Sequence, residues 1–169
     1  NFRERFPNLK RLKIEFEGWH SRHAAVSLRN VEVGLPATLE KLELESILNA
    51  TAYLEASLAG GACPRLTAVR FTNVDNVAGV MGAASKIREI YVEETLFRPT
   101  LNLDTLVTVC APNLERLAVP RPAALGSCTT FPRLRHLFVE GDNADHRLPT
   151  KALVAGSPQL HRVEAPGIK

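Results

Sequence analysis

A short hydrophobic motif recurs seven times along the chain, and this repetition limits the possible folds more than any other feature. The motif is Leu-x-x-Leu-x-Leu with apolar replacements, and it begins at Leu9, Leu39, Leu66, Ile87, Leu114, Leu134 and Leu160. The mean spacing is about 25 residues, a period typical of stacked repeat units. Each unit is too small to bury its own apolar side chains, so neighbouring units must bury them for one another.

Each motif predicts a short, half-buried β-strand, because its apolar residues alternate with polar ones. Helical spacing between the motifs predicts crossover helices at Ala50–Leu58, Leu103–Cys110 and 149–155. Asn102 is expected to cap the second of these helices. The glycine-rich segment 75–84 has room for a turn or two of helix, and Pro120 and Pro122 predict an irregular connection. We therefore expect an α/β solenoid of about seven strand–helix units over residues 1–169, with one parallel sheet on its concave side.

Composition excludes several classes of protein. With 45% hydrophobic and 23% charged residues, the chain should fold. A net charge of +3 is too small to indicate nucleic-acid binding by itself. No apolar run approaches the roughly 20 residues of a membrane span. Three widely spaced cysteines without a CxxC pair, Cys63, Cys110 and Cys128, favour an intracellular, reducing compartment.

The residues around the motifs resemble a known family. Three segments carry the resemblance most clearly: Gly61-Ala62-Cys63-Pro64-Arg65-Leu66, Cys110-Ala111-Pro112-Asn113-Leu114-Glu115-Arg116-Leu117 and Ser157-Pro158-Gln159-Leu160. Phe6-Pro7-Asn8-Leu9 and Phe131-Pro132-Arg133-Leu134 are variants that begin with Phe. Over essentially its whole length the chain resembles the leucine-rich repeat proteins. The resemblance is closest to the irregular, cysteine-containing repeats of F-box substrate receptors and then to those of plant immune receptors.

This resemblance implies a horseshoe-shaped module that binds another protein, as part of a larger assembly. Two narrower roles follow as alternatives: the substrate-recognition part of a ubiquitin ligase, although this chain contains no F-box, or the ligand-sensing repeats of an immune receptor. The family often carries Asn or Cys three residues after each motif, which would form a ladder between units. Here those positions hold Glu17, Ile47, Val74, Thr95, Pro122, Asp142 and Ile168, so no such ladder is expected.

Candidates for catalysis, metal binding or cofactor binding are weak. His20 and His23 lie three residues apart without a neighbouring acid, which favours a solvated loop over a metal site. Cys63 and Cys110 occupy a small, buried position of the repeat and are expected to be structural. The loop with Asp142, Asp145 and His146 lacks the spacing of a calcium site, and the glycine pairs match no phosphate loop. Cys128 lies in a turn without an evident base. The chain is therefore expected to be no enzyme, with no cofactor.

The fold predicts which residues share the concave face, because residues at equivalent motif positions align in columns across neighbouring strands. The first column is Arg11, Lys41, Ala68, Glu89, Arg116, His136 and Arg162. The middle column is Lys13, Glu43, Arg70, Tyr91, Ala118, Phe138 and Glu164. The last is Glu15, Glu45, Thr72, Glu93, Pro120, Glu140 and Pro166. We expect a basic margin and an acidic margin, unless these charges, such as Lys13 and Glu43, simply pair with one another.

The middle column contains the candidate partner-binding site. Tyr91 and Phe138 should stand roughly 10 Å apart, two strand spacings, with only Ala118 between them. Exposed aromatic rings at the centre of a polar face are typical anchors of a protein interface. Arg116 and His136 are expected on one rim of the site, and Glu93 and Glu140 on the other. The alternative is that the rings stack on each other's strands or are covered by a loop.

A nucleic-acid interface is a further alternative. It would use the basic residues of the C-terminal region: Arg133, Arg135, Arg147, Lys151, His161, Arg162 and Lys169. Glutamates interrupt this track, so nucleic acid is the less favoured partner. Leu160, Val163 and Ile168 would leave an apolar edge at the last repeat, and we expect more chain or a bound neighbour to cover it.

Overall fold

Seven strands of three to five residues form one all-parallel sheet in the part of the chain that the computed structural model describes, which is residues 2–15, 34–47, 50–58, 61–93, 100–125, 128, 130–140 and 150–166. The strands are β1 (Arg11–Glu15), β2 (Lys41–Glu45), β3 (Ala68–Thr72), β4 (Glu89–Glu93), β5 (Arg116–Val119), β6 (His136–Val139) and β7 (Arg162–Glu164). Their order in the sheet is their order in the sequence. All seven predicted strands are therefore confirmed.

Six helical segments precede or connect the strands in the described part of the chain. They are α1 (Phe2–Arg5), α2 (Ala50–Leu58), the 3-10 helix η1 (Ala78–Lys86), α3 (Leu103–Cys110), the 3-10 helix η2 (Pro122–Leu125) and α4 (Thr150–Ala155). η1 lies against both α2 and α3, and α3 also contacts η2, so the helical segments form their own layer. The α/β class and the repeated strand–helix unit are confirmed. None of the described helices is long and apolar enough to cross a membrane.

The turn before each strand explains the Pro-x-Leu part of the motif. The N–H of the first motif residue donates to the carbonyl three residues earlier in six units, as Leu9 does to Phe6 and Leu66 to Cys63. Proline is favoured at the second position of such a turn, where its fixed φ fits and no N–H is needed. Leu114 differs, because its N–H bonds to Cys110, four residues earlier.

The junctions between adjacent strands also repeat. At each of the six described junctions, the carbonyl just before one strand accepts hydrogen bonds from two consecutive N–H groups at the start of the next, at 2.8 to 3.2 Å. The accepting carbonyls belong to Lys10, Glu40, Thr67, Arg88, Glu115 and Arg135. The backbone therefore follows one template although the units differ in length.

The core lies between the sheet and the helical layer as one continuous cluster of apolar residues. Leu42, Phe71 and Leu66 are fully buried there, and Cys63 and Cys110 are buried as expected for structural thiols. The Cys63 thiol donates a hydrogen bond to the Pro36 carbonyl across 3.6 Å. On the opposite face of the sheet, strand residues at alternate positions reach solvent.

The connections differ from the prediction in three places. The 3-10 helix at Ala78–Lys86 begins within the 75–84 segment and is longer than the turn or two expected, and a four-residue 3-10 helix begins at Pro122. Asn102 does not cap α3 with its side chain; its backbone is left-handed, with φ 61°. The Asn102 amide instead donates to Asn76 Oδ1 at 3.0 Å, and Asn76 Oδ1 also accepts from the Ala78 N–H. An asparagine link between units therefore exists, but outside the positions where the family ladder was sought.

The last strand lies at an open edge of the described core. Val163 follows Leu137 in the apolar column of the sheet, yet its residue surface is 46% exposed, whereas Leu137 is buried. Leu160 is partly buried against the core, and Ile168 lies outside the described residues. The exposed Val163 agrees with the predicted apolar edge, and its covering by more chain or a neighbour stays a prediction.

Candidate functional site

The side of the sheet that faces solvent is here called the open face. The residues of the predicted columns lie on it at paired positions of neighbouring strands. The first and middle columns pair residue for residue from β1 to β7. The last column holds only from Glu15 to Glu93, because the pairing of β4 with β5 ends at Tyr91 and Ala118. Period-two alternation is therefore sufficient to align the strands but not the residues that follow them.

A groove of about 550 Å³ crosses the open face over β4, β5 and β6 and reaches parts of β2, β3 and β7. Tyr91, Ala118 and Phe138 lie in its lining at paired positions of three consecutive strands. Tyr91 is 37% exposed, whereas Ala118 and Phe138 are half-buried. The predicted arrangement of two rings with an alanine between them is therefore present in the sheet.

Arg70 covers one side of this arrangement, which the sequence did not predict. Its guanidinium carbon lies 4.3 Å from the centroid of the Tyr91 ring, within cation–π range. Its Nη2 also lies 3.7 Å from Glu93 Oε2. Arg70 precedes Tyr91 in the middle column, so adjacency in register was the available signal.

The basic rim lies where it was expected and is larger. Arg116 and His136 line the groove, and Arg162 of β7 extends the same row. Arg116 Nη1 lies 3.6 Å from Glu89 Oε1, and Arg162 is paired with Glu164 on its own strand. The additional lining residues that the sequence reasoning missed are Lys41, Ala68, Val69, Arg70, Glu89, Ile90, Leu117, Leu137, Arg162 and Glu164.

The acidic rim does not form as expected. Glu93 and Glu140 are absent from the lining of the groove. Glu93 lies beside Arg70, and Glu140 follows β6 with its N–H donating to the Val119 carbonyl. Glu93 lies beyond the last β4 residue that pairs with β5, and Glu140 follows β6, so the last column is not continuous across β4, β5 and β6.

The open face divides into two parts: both contain ion pairs, and only the second exposes aromatic rings. In the part on β1–β3, here the paired half, Lys13 Nζ lies 2.6 Å from both Glu15 and Glu45. Lys41 Nζ lies 2.7 Å from Glu43 Oε1, and this bond holds the pKa of the Glu43 carboxyl below its ordinary value. The expected Lys13–Glu43 pair is thus replaced by these contacts. The part on β4–β7, here the groove half, contains the aromatic rings.

His136 is the titratable group most affected by its surroundings in the groove half. Its pKa is lowered, first by desolvation and then by His161, Arg116, Arg162 and Arg135. The His136 and His161 rings meet edge to face, with their centroids 4.9 Å apart. Desolvation and the neighbouring positive charges both favour the neutral imidazole.

The surroundings of the described cysteines do not favour catalysis. Burial raises the pKa of the Cys63 thiol, and raises that of the Cys110 thiol to about 12, so neither is a ready nucleophile. Cys128 is half-buried, and its thiol donates to the Thr130 carbonyl. His20, His23, Asp142, Asp145 and His146 lie outside the described residues. Among the residues that the structure does describe, no cluster of His, Cys, Asp and Glu could hold a metal ion.

The fold and the groove together define a repeat α/β protein with a groove of mixed apolar and charged lining on the open face of a parallel sheet. Neither a known protein-family model nor a curated protein sequence matches the chain. The argument for function therefore depends on the geometry of this face.

Proposed function

We propose that the chain is a non-catalytic protein–protein interaction module, built as a leucine-rich repeat solenoid, that binds its partner through the open face. The observation that carries this proposal is the exposed Tyr91 ring beside Ala118 and Phe138, at the centre of an otherwise polar sheet face. Covering this surface with a partner is favourable, because the aromatic rings and the partner's apolar side chains are then removed from water together.

The surroundings of the rings favour a protein partner. Interface anchors are typically aromatic or arginine side chains in a shallow pocket, with polar groups at the margin. Here Tyr91 and Phe138 would be the anchors, and Arg116 and His136 the polar margin that orients the partner. Glu93 and Glu140 stay part of this proposal only as outlying contacts of a partner larger than the groove.

The repeated backbone supports the leucine-rich repeat assignment. Six junctions with the same paired hydrogen bonds, together with strands that follow one another in order, are the arrangement that a stack of such units requires. The three free cysteines support action in a reducing intracellular compartment. The high thiol pKa values of Cys63 and Cys110 support a structural rather than catalytic use of these residues.

The test compares Tyr91→Ala and Phe138→Ala with a control on the helical layer. Partners captured by the parent protein are purified and their direct binding is measured by calorimetry. Each substitution should weaken binding by about 2 kcal/mol or more, the usual loss at an interface anchor. Val154→Ala changes an exposed apolar residue of α4 and should leave binding unchanged.

Thermal unfolding separates a binding role from a core role. Tyr91→Ala should change the free energy of unfolding by about 1 kcal/mol or less, and Phe138→Ala by about 1 to 2 kcal/mol because its ring is half-buried. A loss of about 3 to 5 kcal/mol, as for a fully buried Phe, would mean that the ring belongs to the core. Binding that survives both substitutions would refute the proposal.

A further inference from the structure

A row of basic side chains runs along one side of the groove. Arg116, His136 and Arg162 occupy paired first-column positions of β5, β6 and β7. Neighbouring strands stand about 4.8 Å apart, so the row spans about 10 Å. Both arginine side chains are 64% exposed and can reach a bound group.

Each arginine of this row lies in an ion pair. Glu89 lies beside Arg116, and Glu164 lies beside Arg162, each on one flank of the row. The central residue, His136, is adjacent to both arginines, and its ring contacts His161. All four Lys and Arg side chains of the described lining lie beside a glutamate, so the excess positive charge near the row comes from Arg135, which also acts on His136.

The pKa of His136 is lowered first by desolvation and then by the charges around it. The charged groups that act on it come from every neighbouring element: Arg116 from β5, Arg162 and His161 from β7 and its approach, and Arg135 from its own segment. A carboxylate bound beside His136 would reverse this balance, because an opposite charge favours the imidazolium form.

We propose that the groove binds an extended acidic peptide segment, with one large apolar side chain over Ala118 between Tyr91 and Phe138 and an Asp or Glu side chain at the Arg116–His136–Arg162 row. This inference rests on the proposed function, because it specifies the chemistry of the partner at the same site. Charge complementarity selects an acidic segment over a basic or neutral one.

The distance between the two subsites fixes the spacing of the ligand residues. The row and the aromatic pair lie two residues apart along each strand, which is about 7 Å. An extended peptide that runs along the strands covers the same distance in two residues. The acidic residue should therefore stand two positions from the apolar one, on the same side of the peptide.

The experiment selects a random displayed peptide library on the parent protein, with counter-selection on Tyr91→Ala. Enriched peptides should carry Asp or Glu two positions from Phe, Tyr, Trp or Leu. In synthetic copies, measured by fluorescence anisotropy at low salt, replacing the acid by its amide should weaken binding about three- to tenfold. Arg162→Gln should weaken the acidic peptide and not its amide version.

Arg11→Gln is the matched control, because Arg11 holds the same column position on β1 and does not line the groove. It should leave the affinity unchanged. Binding of the acidic peptide should strengthen from about pH 8 to about pH 5.5 as His136 takes up a proton, and His136→Gln should remove this rise.

The outcomes separate the two proposals. Selected peptides that need Tyr91 but show no preference for an acid, or no preferred spacing, overturn the acidic-segment inference and leave the interaction module standing. A library without any peptide that depends on Tyr91 overturns both. Tighter binding of a short single-stranded RNA, retained in Tyr91→Ala, overturns both in favour of a nucleic-acid interface.

Discussion

The paired half and the groove half of the open face have the same backbone arrangement and differ in the side chains that they expose. On β1–β3, Lys13 and Lys41 contact glutamates at 2.6 to 2.7 Å, so both lysines form close ion pairs within this half. On β4–β7, Tyr91 and Phe138 border a groove, and the positive groups around His136 outnumber the acids. The backbone hydrogen bonds at the strand junctions are the same in both halves.

This contrast shows which residues of a repeat protein can determine its binding specificity. The buried motif positions keep the stack together, and they are nearly uniform from β2 to β6. The exposed positions between them are free to differ, because they contribute little to the core. A surface ion pair adds about 1 kcal/mol or less to the free energy of unfolding, so the ion pairs of the paired half stabilise the fold only weakly. A groove that exposes the Tyr91 ring is the part that gains from a partner.

Filling the groove should produce the largest difference between the halves. Ala118→Trp places an indole between Tyr91 and Phe138, where the partner's side chain is proposed to sit, and should weaken partner binding by about 2 kcal/mol or more. Glu43→Trp introduces the same ring at the same column position of β2 and should change binding by less than about 0.5 kcal/mol. Calorimetry with the captured partner measures both.

Equal losses from Ala118→Trp and Glu43→Trp would show that the halves are not functionally distinct. Circular dichroism and thermal unfolding of both variants provide the control for folding. Ala118 is only half-buried, so its replacement should cost about 1 kcal/mol or less in unfolding free energy if the ring stays in the groove. A much larger loss would mean that the indole is forced into the core.

Arg70 lies at the boundary between the halves and allows a sharper, smaller test. A double-mutant cycle of Arg70→Met and Tyr91→Leu should yield a coupling energy of about 0.5 to 1 kcal/mol in urea unfolding, from the cation–π contact at 4.3 Å. Glu93→Gln is the control, since it removes the carboxylate beside Arg70 without touching the ring. A coupling near zero would indicate that Arg70 leaves the ring in solution and that Tyr91 is open on both sides.

Much of this face could be predicted from the sequence. The period-two motif was sufficient to place Tyr91, Ala118 and Phe138 side by side, because parallel pairing of equivalent units leaves one register. The absence of Glu93 and Glu140 from the lining could not be predicted, since the motif does not show where the pairing of β4 with β5 and of β5 with β6 ends. The position of Arg70 over Tyr91 depends on the rotamer of a long, flexible side chain, which the motif does not restrict.

The smallest expected difference between the halves is in their response to acid. The pKa of His136 is lowered from its ordinary 6.5 in the folded protein, so the unfolded chain binds more protons near that pH and stability should fall as the pH drops through about 6.5. The pKa of Glu43 is lowered from 4.5, so its contribution is present above that pH and should be lost only as the pH falls below about 4.5. Urea midpoints measured from about pH 8 to about pH 3 should therefore decline in two steps. His136→Gln should remove the first step and Glu43→Gln the second, whereas a parent-like first step in His136→Gln would show that another group in the chain is responsible.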